Sequence, residues 1–310
     1  MRRAAAGAVL VLAIAAGAVA EAPPGPSPPR CFGAAARDAA HPCHNAALRT
    51  AVVPTPHAAL RLPNAPCDFV RAGVPFVCAF GAPADRASRT VALLGDSHAV
   101  HWRAALGPVA DAVGWHGVSL SRDGCPFSSA RPVLPARLMP SCLRWRAAVP
   151  AWLRRHPEID TLFVSAHPAH VVTARGRSPL ATAVAGYIGA WRRLPRSIRT
   201  VVVIRDTPID PPWTTGCIGR AIRARRPAGL ACAVPRHLAL RGDAEAAAAR
   251  AWHGRRRVVV IDFTDFMCDA RRCFPVVGGA LVHKDGNHLT ATFGATLAPY
   301  LRRALVRLKV

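Results

Sequence analysis

The sequence is poor in asparagine, lysine and acidic residues. Only three of its 310 residues are asparagine, at positions 45, 64 and 287, and only two are lysine, at 284 and 309. Aspartate and glutamate number 17 against 41 lysines and arginines, so the formal net charge is +24 at pH 7. The charge therefore resides in arginine, in a chain crowded with alanine, proline and glycine, a bias that a GC-rich genome also produces. We expect only a general attraction to anionic envelope polymers or lipid headgroups.

After residue 20 the sequence lacks any apolar run long enough to span a bilayer, because arginine, aspartate or proline interrupts each one. At the amino terminus, the basic start MRR precedes an apolar run over residues 4–19 that ends in AVA at 18–20. This pattern predicts a secretory signal peptide over residues 1–20. The alternative is an uncleaved membrane anchor, for which about 17 apolar residues are at the short end. Either way we expect a protein outside the cytoplasm, where nucleic acid is not an expected partner.

The sequence also lacks a Cys-x-x-Cys pair, which argues against a metal cluster. We expect neither a metal nor a cofactor. Its ten cysteines are an even number, and in an exported chain this is typical of disulfides. They fall as near neighbours, which favours sequential pairing, although the spacing leaves other connectivities open. The favoured pairs are Cys31–Cys43, Cys67–Cys78, Cys125–Cys142, Cys217–Cys232 and Cys268–Cys273.

The composition and the hydrophobic pattern of the sequence change near residue 88. Residues 21–88 are proline-rich, with APPGPSPP at 22–29, and predict a linker followed by a loop-rich, cysteine-containing extension. Over 89–310 short apolar runs alternate with stretches of helix length, which predicts one α/β domain with a central parallel sheet covered on both faces. The predicted strands are 90–96, 117–121, 159–167, 200–206 and 257–264. The predicted helices are 98–113, 143–155, 180–194, 240–253 and a last one after Thr290.

A serine stands where the first predicted strand ends, in VALLGDSHAVHW at 91–102. Ligands gather at the carboxyl ends of strands in such sheets. A serine hydroxyl becomes a good nucleophile when a base accepts its proton and a third group orients that base. Near the other end of the chain, Asp285 precedes His288 by three residues. A loop containing Gly286 can let Asp285 hold one ring nitrogen of His288 while the other faces Ser97.

Gly-Asp-Ser-His after the first strand and Asp-x-x-His before the last helix resemble the SGNH (GDSL-type) hydrolase superfamily. More closely, the chain is similar to the extracytoplasmic SGNH domain associated with acyltransferase 3 family O-acyltransferases. DGCP at 123–126, SCLRW at 141–145, VVVIRDTP at 201–208, FMCDARRCFPVVGG at 266–279 and DGNHLTATFG at 285–294 extend the resemblance over roughly residues 90–305. It implies a three-layer α/β/α sandwich of flavodoxin-like type, an SGNH catalytic domain over 89–310, Ser97 as nucleophile, His288 as general acid and base, and Asp285 as its orienter. Asp96 is expected to be a structural acid that binds turn amides.

The chain departs from the superfamily pattern at the oxyanion hole. SGNH enzymes commonly place an asparagine there from a central loop, whereas the corresponding strand end here is LFVSAHPAH at 162–170. His167 or Ser165 could substitute, and the backbone amides of Ser97 and Gly124 are further candidates. His98 and His101 are expected on the helix that follows Ser97, and their roles in substrate binding, capping or packing stay open.

These observations favour an exported serine enzyme that acts, through an acyl-enzyme, on acyl groups of a cell-surface glycan, with acetyl as the first choice. It would be an O-acyltransferase if a sugar hydroxyl attacks the acyl-enzyme and an esterase if water does, and the same three residues serve both. A separate membrane protein that donates the acyl group is an expected partner. The alternative is a non-catalytic SGNH-fold module that binds an envelope polysaccharide, which the missing asparagine favours and the set Ser97, Asp285 and His288 opposes.

Overall fold

The computed structural model describes residues 27–71, 73–168 and 171–310, and the predicted signal peptide lies outside these ranges. Seven strands form the main sheet: β1 (Asp68–Arg71), β2 (Val77–Gly81), β3 (Arg89–Gly95), β4 (Trp115–Ser121), β5 (Ile159–Ser165), β6 (Thr200–Ile204) and β8 (Arg257–Ile261). Four short strands form two separate two-stranded sheets: β7 (Val234–Pro235) with β9 (Arg272–Cys273), and β10 (Val276–Val277) with β11 (Ala280–Leu281).

The described residues also form twelve α-helices. They are α1 (Pro56–Ala59), α2 (Ser97–His101), α3 (Arg103–Val113), α4 (Met139–Arg154), α5 (Pro179–Arg192), α6 (Trp213–Arg223), α7 (Ala228–Ala231), α8 (Arg236–Ala239), α9 (Ala244–Arg250), α10 (Thr264–Met267), α11 (Ala291–Thr296) and α12 (Ala298–Arg307). None of the helices in the described ranges combines the length and the apolar content needed to cross a bilayer.

The predicted α/β class with a central parallel sheet is confirmed. The five predicted strands coincide with β4, β3, β5, β6 and β8, which lie side by side in that order and are parallel throughout. Along β3 the side chains alternate between two cores. Val91 and Leu93 pack with helices α3, α11 and α12, whereas Ala92 and Leu94 pack with α4, α5 and α9. Helices thus cover both faces, which is why these strands are apolar on both sides.

Two antiparallel strands extend the sheet at one edge, in a segment where the sequence predicts loops. Strand β2 pairs with β4, and β1 pairs with β2. All four residues of β1 are exposed, so the segment has no alternation of buried and exposed positions that would reveal a strand. The sheet therefore includes residues from the proline-rich part of the chain.

The topology of the sheet singles out the carboxyl end of β3. From β3 the chain goes to β4 on one side, and the next strand, β5, lies on the other side of β3. Loops that leave a strand in opposite directions open a crevice between them, where α/β proteins bind ligands. Gly95, Asp96 and Ser97 stand at this point.

All ten cysteines are joined in disulfides, and the pairs are the five sequential ones: Cys31–Cys43, Cys67–Cys78, Cys125–Cys142, Cys217–Cys232 and Cys268–Cys273. The bond of Cys125 ties the loop after β4 to helix α4. The bond of Cys78 ties β2 to the residue just before β1. The first crosslink therefore lies after the carboxyl end of β4, a neighbour of β3, and the second holds the antiparallel edge of the sheet.

Candidate active site

Ser97 is the first residue of helix α2, directly after β3. The carboxylate of Asp96 caps this helix by accepting a hydrogen bond from the amide of His98 at 2.9 Å. The same carboxylate accepts the amide of His167, beyond β5, at 3.1 and 3.2 Å. Asp96 is 2% exposed, and burial raises its pKa to about 6. It thus has the structural role expected from the sequence, because it ties the turn that carries Ser97 to the neighbouring strand end.

Gly95 allows this close approach. Its φ is +156°, and a Cβ atom added there would lie 1.9 Å from the carbonyl oxygen of Ser165. Gly95 and Ser165 are register partners at the ends of β3 and β5. Any side chain at position 95 would therefore push the two strand ends apart and displace the serine two residues later.

Asp285 and His288 lie in the loop between β11 and α11. The Oδ1 atom of Asp285 accepts the amides of Asn287 and His288, both at 2.9 Å, which closes a tight turn. Its other oxygen, Oδ2, lies 2.8 Å from Nδ1 of His288. Nε2 of His288 lies 2.9 Å from Oγ of Ser97. The structure therefore brings Ser97, His288 and Asp285 into one unbroken line of hydrogen bonds.

The loop that follows β6 braces this turn. The amide of Asp210 donates to the carbonyl of Gly286 at 2.7 Å, and Oδ2 of Asp210 lies 3.0 Å from Nδ1 of His283. Nε2 of His283 lies 3.3 Å from the hydroxyl of Thr207. His283 is 4% exposed, so its contact with Asp210 is buried and supports the loop that carries His288 from the interior. No local sequence pattern indicates this contact, because 73 residues separate Asp210 and His283.

The pair of Asp285 and His288 is polarised for proton transfer. Partial burial acts to raise the pKa of Asp285, but the hydrogen bonds from His288 and from two backbone amides outweigh it and hold that pKa below its usual value. The hydrogen bond to Asp285 raises the pKa of His288, against the opposing effect of partial burial. His288 is consequently a stronger base than a free imidazole, which suits a group that takes a proton from Ser97.

A second histidine–aspartate pair lies behind the first. Nδ1 of His98 lies 2.6 Å from Oδ1 of Asp206, and their side chains are 1% and 3% exposed. Burial acts to raise the pKa of Asp206, but the charge and hydrogen bond of His98, together with the neighbouring rings of His167 and His101, outweigh it and the pKa is lowered. Asp206 follows β6 by two residues, and its amide donates to Asp243 at 2.9 Å. The pair is therefore fixed at the carboxyl edge of the sheet.

Three imidazole rings surround the ring of His98. Its ring centroid lies 4.9 Å from those of His101 and His288 and 4.5 Å from that of His167. His101 is 3% exposed, its Nδ1 accepts the amide of Leu289 at 3.3 Å, and burial lowers its pKa well below the usual value. His101 is thus a neutral packing residue. The sequence left the role of His101 open, and in the structure this residue contacts the loop that carries His288.

The oxyanion candidates come from both sides of β3. His167 follows β5; its side chain is 28% exposed, and its Nδ1 lies 3.6 Å from Oδ2 of Asp206, longer than a hydrogen bond. Gly124 lies in the turn after β4, with φ of +64°, and the amide of Arg122 in that turn donates to the carbonyl of Gly95 at 3.0 Å. Ser165 is fully buried, and its hydroxyl accepts the indole N–H of Trp102 at 3.1 Å. Ser165 is therefore a core residue, whereas His167 and Gly124 lie beside the crevice.

Within the described ranges, one histidine–aspartate group has the spacing to hold a metal ion: His98, His101 and Asp206, whose ligand atoms lie within 4.8 Å of one another. The short hydrogen bond between His98 and Asp206 occupies two of these ligands, and Nδ1 of His101 already accepts an amide. Nε2 of His101 and Oδ2 of Asp206 have no hydrogen-bond partner, but a metal ion held by all three residues would compete with the bond between His98 and Asp206. The group fits a hydrogen-bonded support better than a metal centre.

Comparison with known proteins relates the chain to one family of domains. A family model described as "SGNH domain (fused to AT3 domains)" matches residues 66–303. Among solved structures, the periplasmic domain of a lipopolysaccharide acetyltransferase from Salmonella ser. Paratyphi A has a similar fold, with a TM-score of 0.55. The two chains are 12% identical, and the match covers 71% of this chain and 85% of that one. No curated protein sequence matches significantly.

Proposed function

The chain belongs to the family of SGNH domains fused to AT3 domains, and from this membership we propose that it is an exported serine enzyme that transfers or removes acetyl groups on a cell-surface glycan. Membership ties the chain to acyl modification. The name of the Salmonella protein supports acetyl as the group and an envelope glycan as the substrate class. Five disulfides support a location outside the cytoplasm, where such bonds persist.

The observation that carries the proposal is the line of hydrogen bonds from Asp285 through His288 to Ser97, at 2.8 and 2.9 Å. With Asp285 bound to Nδ1–H, the neutral His288 presents the lone pair of Nε2 to the serine hydroxyl. This is the tautomer that a general base needs. Ser97 is partly exposed at the crevice, so an ester carbonyl can reach it.

The first half-reaction forms an acyl-enzyme. Oγ of Ser97 bonds to the carbonyl carbon of the donor ester, and its proton passes to Nε2 of His288. The tetrahedral intermediate collapses when the bond to the leaving oxygen breaks and His288 returns the proton to that oxygen. Asp285 stays ionised throughout and stabilises the transient imidazolium.

The second half-reaction repeats these steps in reverse with a new hydroxyl. A sugar hydroxyl or water gives its proton to His288 and attacks the acyl carbon, and the bond to Oγ of Ser97 then breaks as the serine recovers its proton. A sugar hydroxyl makes the protein an O-acyltransferase, and water makes it an esterase. The fusion of related domains to AT3 domains supports transfer.

In this proposal the oxyanion is held by the amides of Ser97 and Gly124 and by the imidazole of His167. Gly124 and His167 follow the two strands that flank β3, so donors from both sides can converge on one oxygen. His167 occupies the strand end at which SGNH enzymes commonly place an asparagine. In this role His167 carries a proton on Nε2 and donates it to the oxyanion.

A separate membrane protein that passes acyl groups outward is the proposed donor, which the fusion of related domains to AT3 domains supports. The prediction is that transfer to glycan in a purified system requires this donor or an activated ester in its place. Transfer from a soluble cytoplasmic donor such as an acyl thioester, with no other protein present, would sink this part of the proposal.

The proposed function is tested with p-nitrophenyl acetate, beside Ser97→Ala, with and without an oligosaccharide acceptor. We expect turnover that is lost in Ser97→Ala. Acetylated oligosaccharide among the products identifies a transferase, and acetate alone identifies an esterase. If wild type and Ser97→Ala are equally inert toward this ester and toward a fluorophosphonate, the chain is instead a polysaccharide-binding module that keeps the fold.

A further inference from the structure

A groove of about 1080 Å³ lies at the end of the sheet opposite to Ser97. Eight of its fifteen lining residues are arginines, and none is acidic. It is bounded by the last turns of α4 and α5 and by the first residues of β6 and β8. These strand starts mark the amino edge of the sheet, whereas Ser97 is at the carboxyl edge. Strands of five residues separate the two edges by about 16 Å.

Three of the eight arginines form hydrogen bonds or ion pairs within the fold. Arg199 pairs with Asp160 at 2.9 Å. Arg256 donates to the carbonyls of Leu194 and Ile198 at 3.0 Å, and Arg257 donates to the carbonyl of Lys309 at 3.1 Å. These contacts explain the positions of the three side chains without any ligand.

The other five arginines form no such contacts among the described residues. They come from three segments of the chain and are all exposed: Arg154, Arg192, Arg193, Arg196 and Arg255. In the part of the chain that the structure describes, none of the five side chains makes a hydrogen bond or an ion pair. Five unpaired guanidinium groups around one concavity repel each other, and an anionic ligand would relieve this repulsion.

The shape and lining of the groove favour an extended polymer over a membrane surface. Membrane-binding surfaces combine basic residues with exposed apolar side chains that enter the lipid. Among the described residues, none of the large exposed hydrophobic side chains lines this groove. The concave form suits a chain that lies along it, and guanidinium forks suit the carboxylate or phosphate groups of such a chain.

We infer that this groove binds a linear anionic polysaccharide at a distance from the catalytic crevice. The inference rests on the proposed function in one respect, namely that the bound polymer is the glycan whose acyl groups the enzyme modifies. A polymer held at the amino edge would raise the local concentration of acceptor units at the carboxyl edge. The enzyme would then modify several units before it leaves the chain.

The competing explanation is that arginines at helix ends only complement the partial negative charge of those ends, in a protein that is basic everywhere. A matched control separates the two. Arg154→Glu, Arg192→Glu and Arg255→Glu form the groove variant. Arg220→Glu, Arg223→Glu and Arg226→Glu form the control, because these three exposed arginines at the end of α6 and just beyond lie outside the groove.

The experiment measures binding of the oxidised protein to immobilised polygalacturonate, with neutral dextran and phosphatidylglycerol vesicles in parallel arms. Every protein carries Ser97→Ala, so that catalysis plays no part in the readout. We expect the groove variant to raise the Kd for polygalacturonate by about tenfold or more and the control variant by less than about threefold. A glutamine version of the groove variant should give a smaller rise, which guards against a folding defect caused by the glutamates.

Equal losses in the groove and control variants would overturn the inference, since they would show a diffuse effect of net charge. Equal binding to dextran, or binding to vesicles alone, would also overturn it. The groove variant with Ser97 restored should hydrolyse p-nitrophenyl acetate at the wild-type rate. An inert wild type that still binds polygalacturonate through the groove would contradict the proposed catalysis and leave this binding site standing.

Discussion

Two of the histidine–aspartate pairs around the crevice, the pair that reaches Ser97 and the one behind it, have similar chemistry and different surroundings. Asp285 and His288 are three residues apart, 39% and 28% exposed at their side chains, and reach Ser97. Asp206 and His98 are 108 residues apart and almost fully buried, and they meet at 2.6 Å. Their rings lie side by side, with 4.9 Å between the centroids of His98 and His288.

The two pairs have different roles because they differ in solvent exposure. A base must exchange protons with a substrate, so His288 has to face the crevice. A buried pair exchanges protons with nothing in solution, and removal of one partner leaves an uncompensated charge in the interior. We therefore propose that His288 and Asp285 carry proton transfer and that His98 and Asp206 support the crevice.

The largest expected effect comes from the exposed pair. His288→Ala and Ser97→Ala should each lower kcat/KM for p-nitrophenyl acetate by on the order of 10⁴-fold or more, and the double variant should lose little beyond that. Both residues are partly exposed, so the thermal unfolding temperature should change little. Steady-state kinetics beside a thermal melt checks this, and a loss that adds fully in the double variant would show that the two residues act separately.

Asp285→Asn should lower kcat/KM by about 10²- to 10⁴-fold and move its pH dependence. Activity requires neutral His288, so the rate falls as the pH drops through the pKa of that imidazole. Asp285 raises this pKa, and the amide of asparagine cannot stabilise the imidazolium in the same way. The acidic limb of the profile should therefore shift to lower pH in the variant. If the acidic limb stays in place, Asp285 does not set the pKa of His288.

His167→Ala should lower kcat by about 10²-fold, the loss typical of one oxyanion donor. His167→Asn should recover most of this loss, because asparagine presents an N–H donor at the strand end where SGNH enzymes commonly use it. Substrate affinity should change less than kcat in both variants. A similar loss in both would mean that the ring of His167 packs against His98 and does not hold the oxyanion.

The smallest effect on catalysis is expected in the buried pair. Asp206→Asn should lower the free energy of unfolding by about 3 kcal/mol, because the buried His98 loses its carboxylate partner, and should change kcat/KM by no more than about tenfold. The acidic limb of the pH profile should stay in place. Denaturant unfolding of the oxidised protein measures the stability, with Asp285→Asn as the matched exposed variant. A shift of the acidic limb in Asp206→Asn would show that the buried pair takes part in proton transfer.

The exposed pair could be predicted from the sequence and the buried pair could not, and sequence distance is the reason. Asp-x-x-His is a local pattern, and a turn with Gly286 is sufficient to close it. Asp206 and His98 meet only because β6 and β3 both end at one edge, with β5 between them. The position of Asp206 just after an apolar strand was a usable indication, since polar residues at such ends converge on the crevice.

The fold shows the same division. The five parallel strands are continuous apolar runs and were predicted within a few residues, whereas β1 and β2 were not. Strand β1 is held by its pairing with β2 and by the bond of Cys67 to Cys78, not by a buried face. Long-range pairing of this kind leaves no periodic pattern in the sequence.

Covalent labelling is the decisive test of whether His288 activates Ser97 for acyl transfer. The oxidised protein is treated with a fluorophosphonate, and the adduct is located by intact mass and peptide mapping. We expect one adduct per chain, on Ser97, formed at least about 10³-fold more slowly in His288→Ala. An adduct at another residue, or labelling of Ser97 at the same rate without His288, would contradict it.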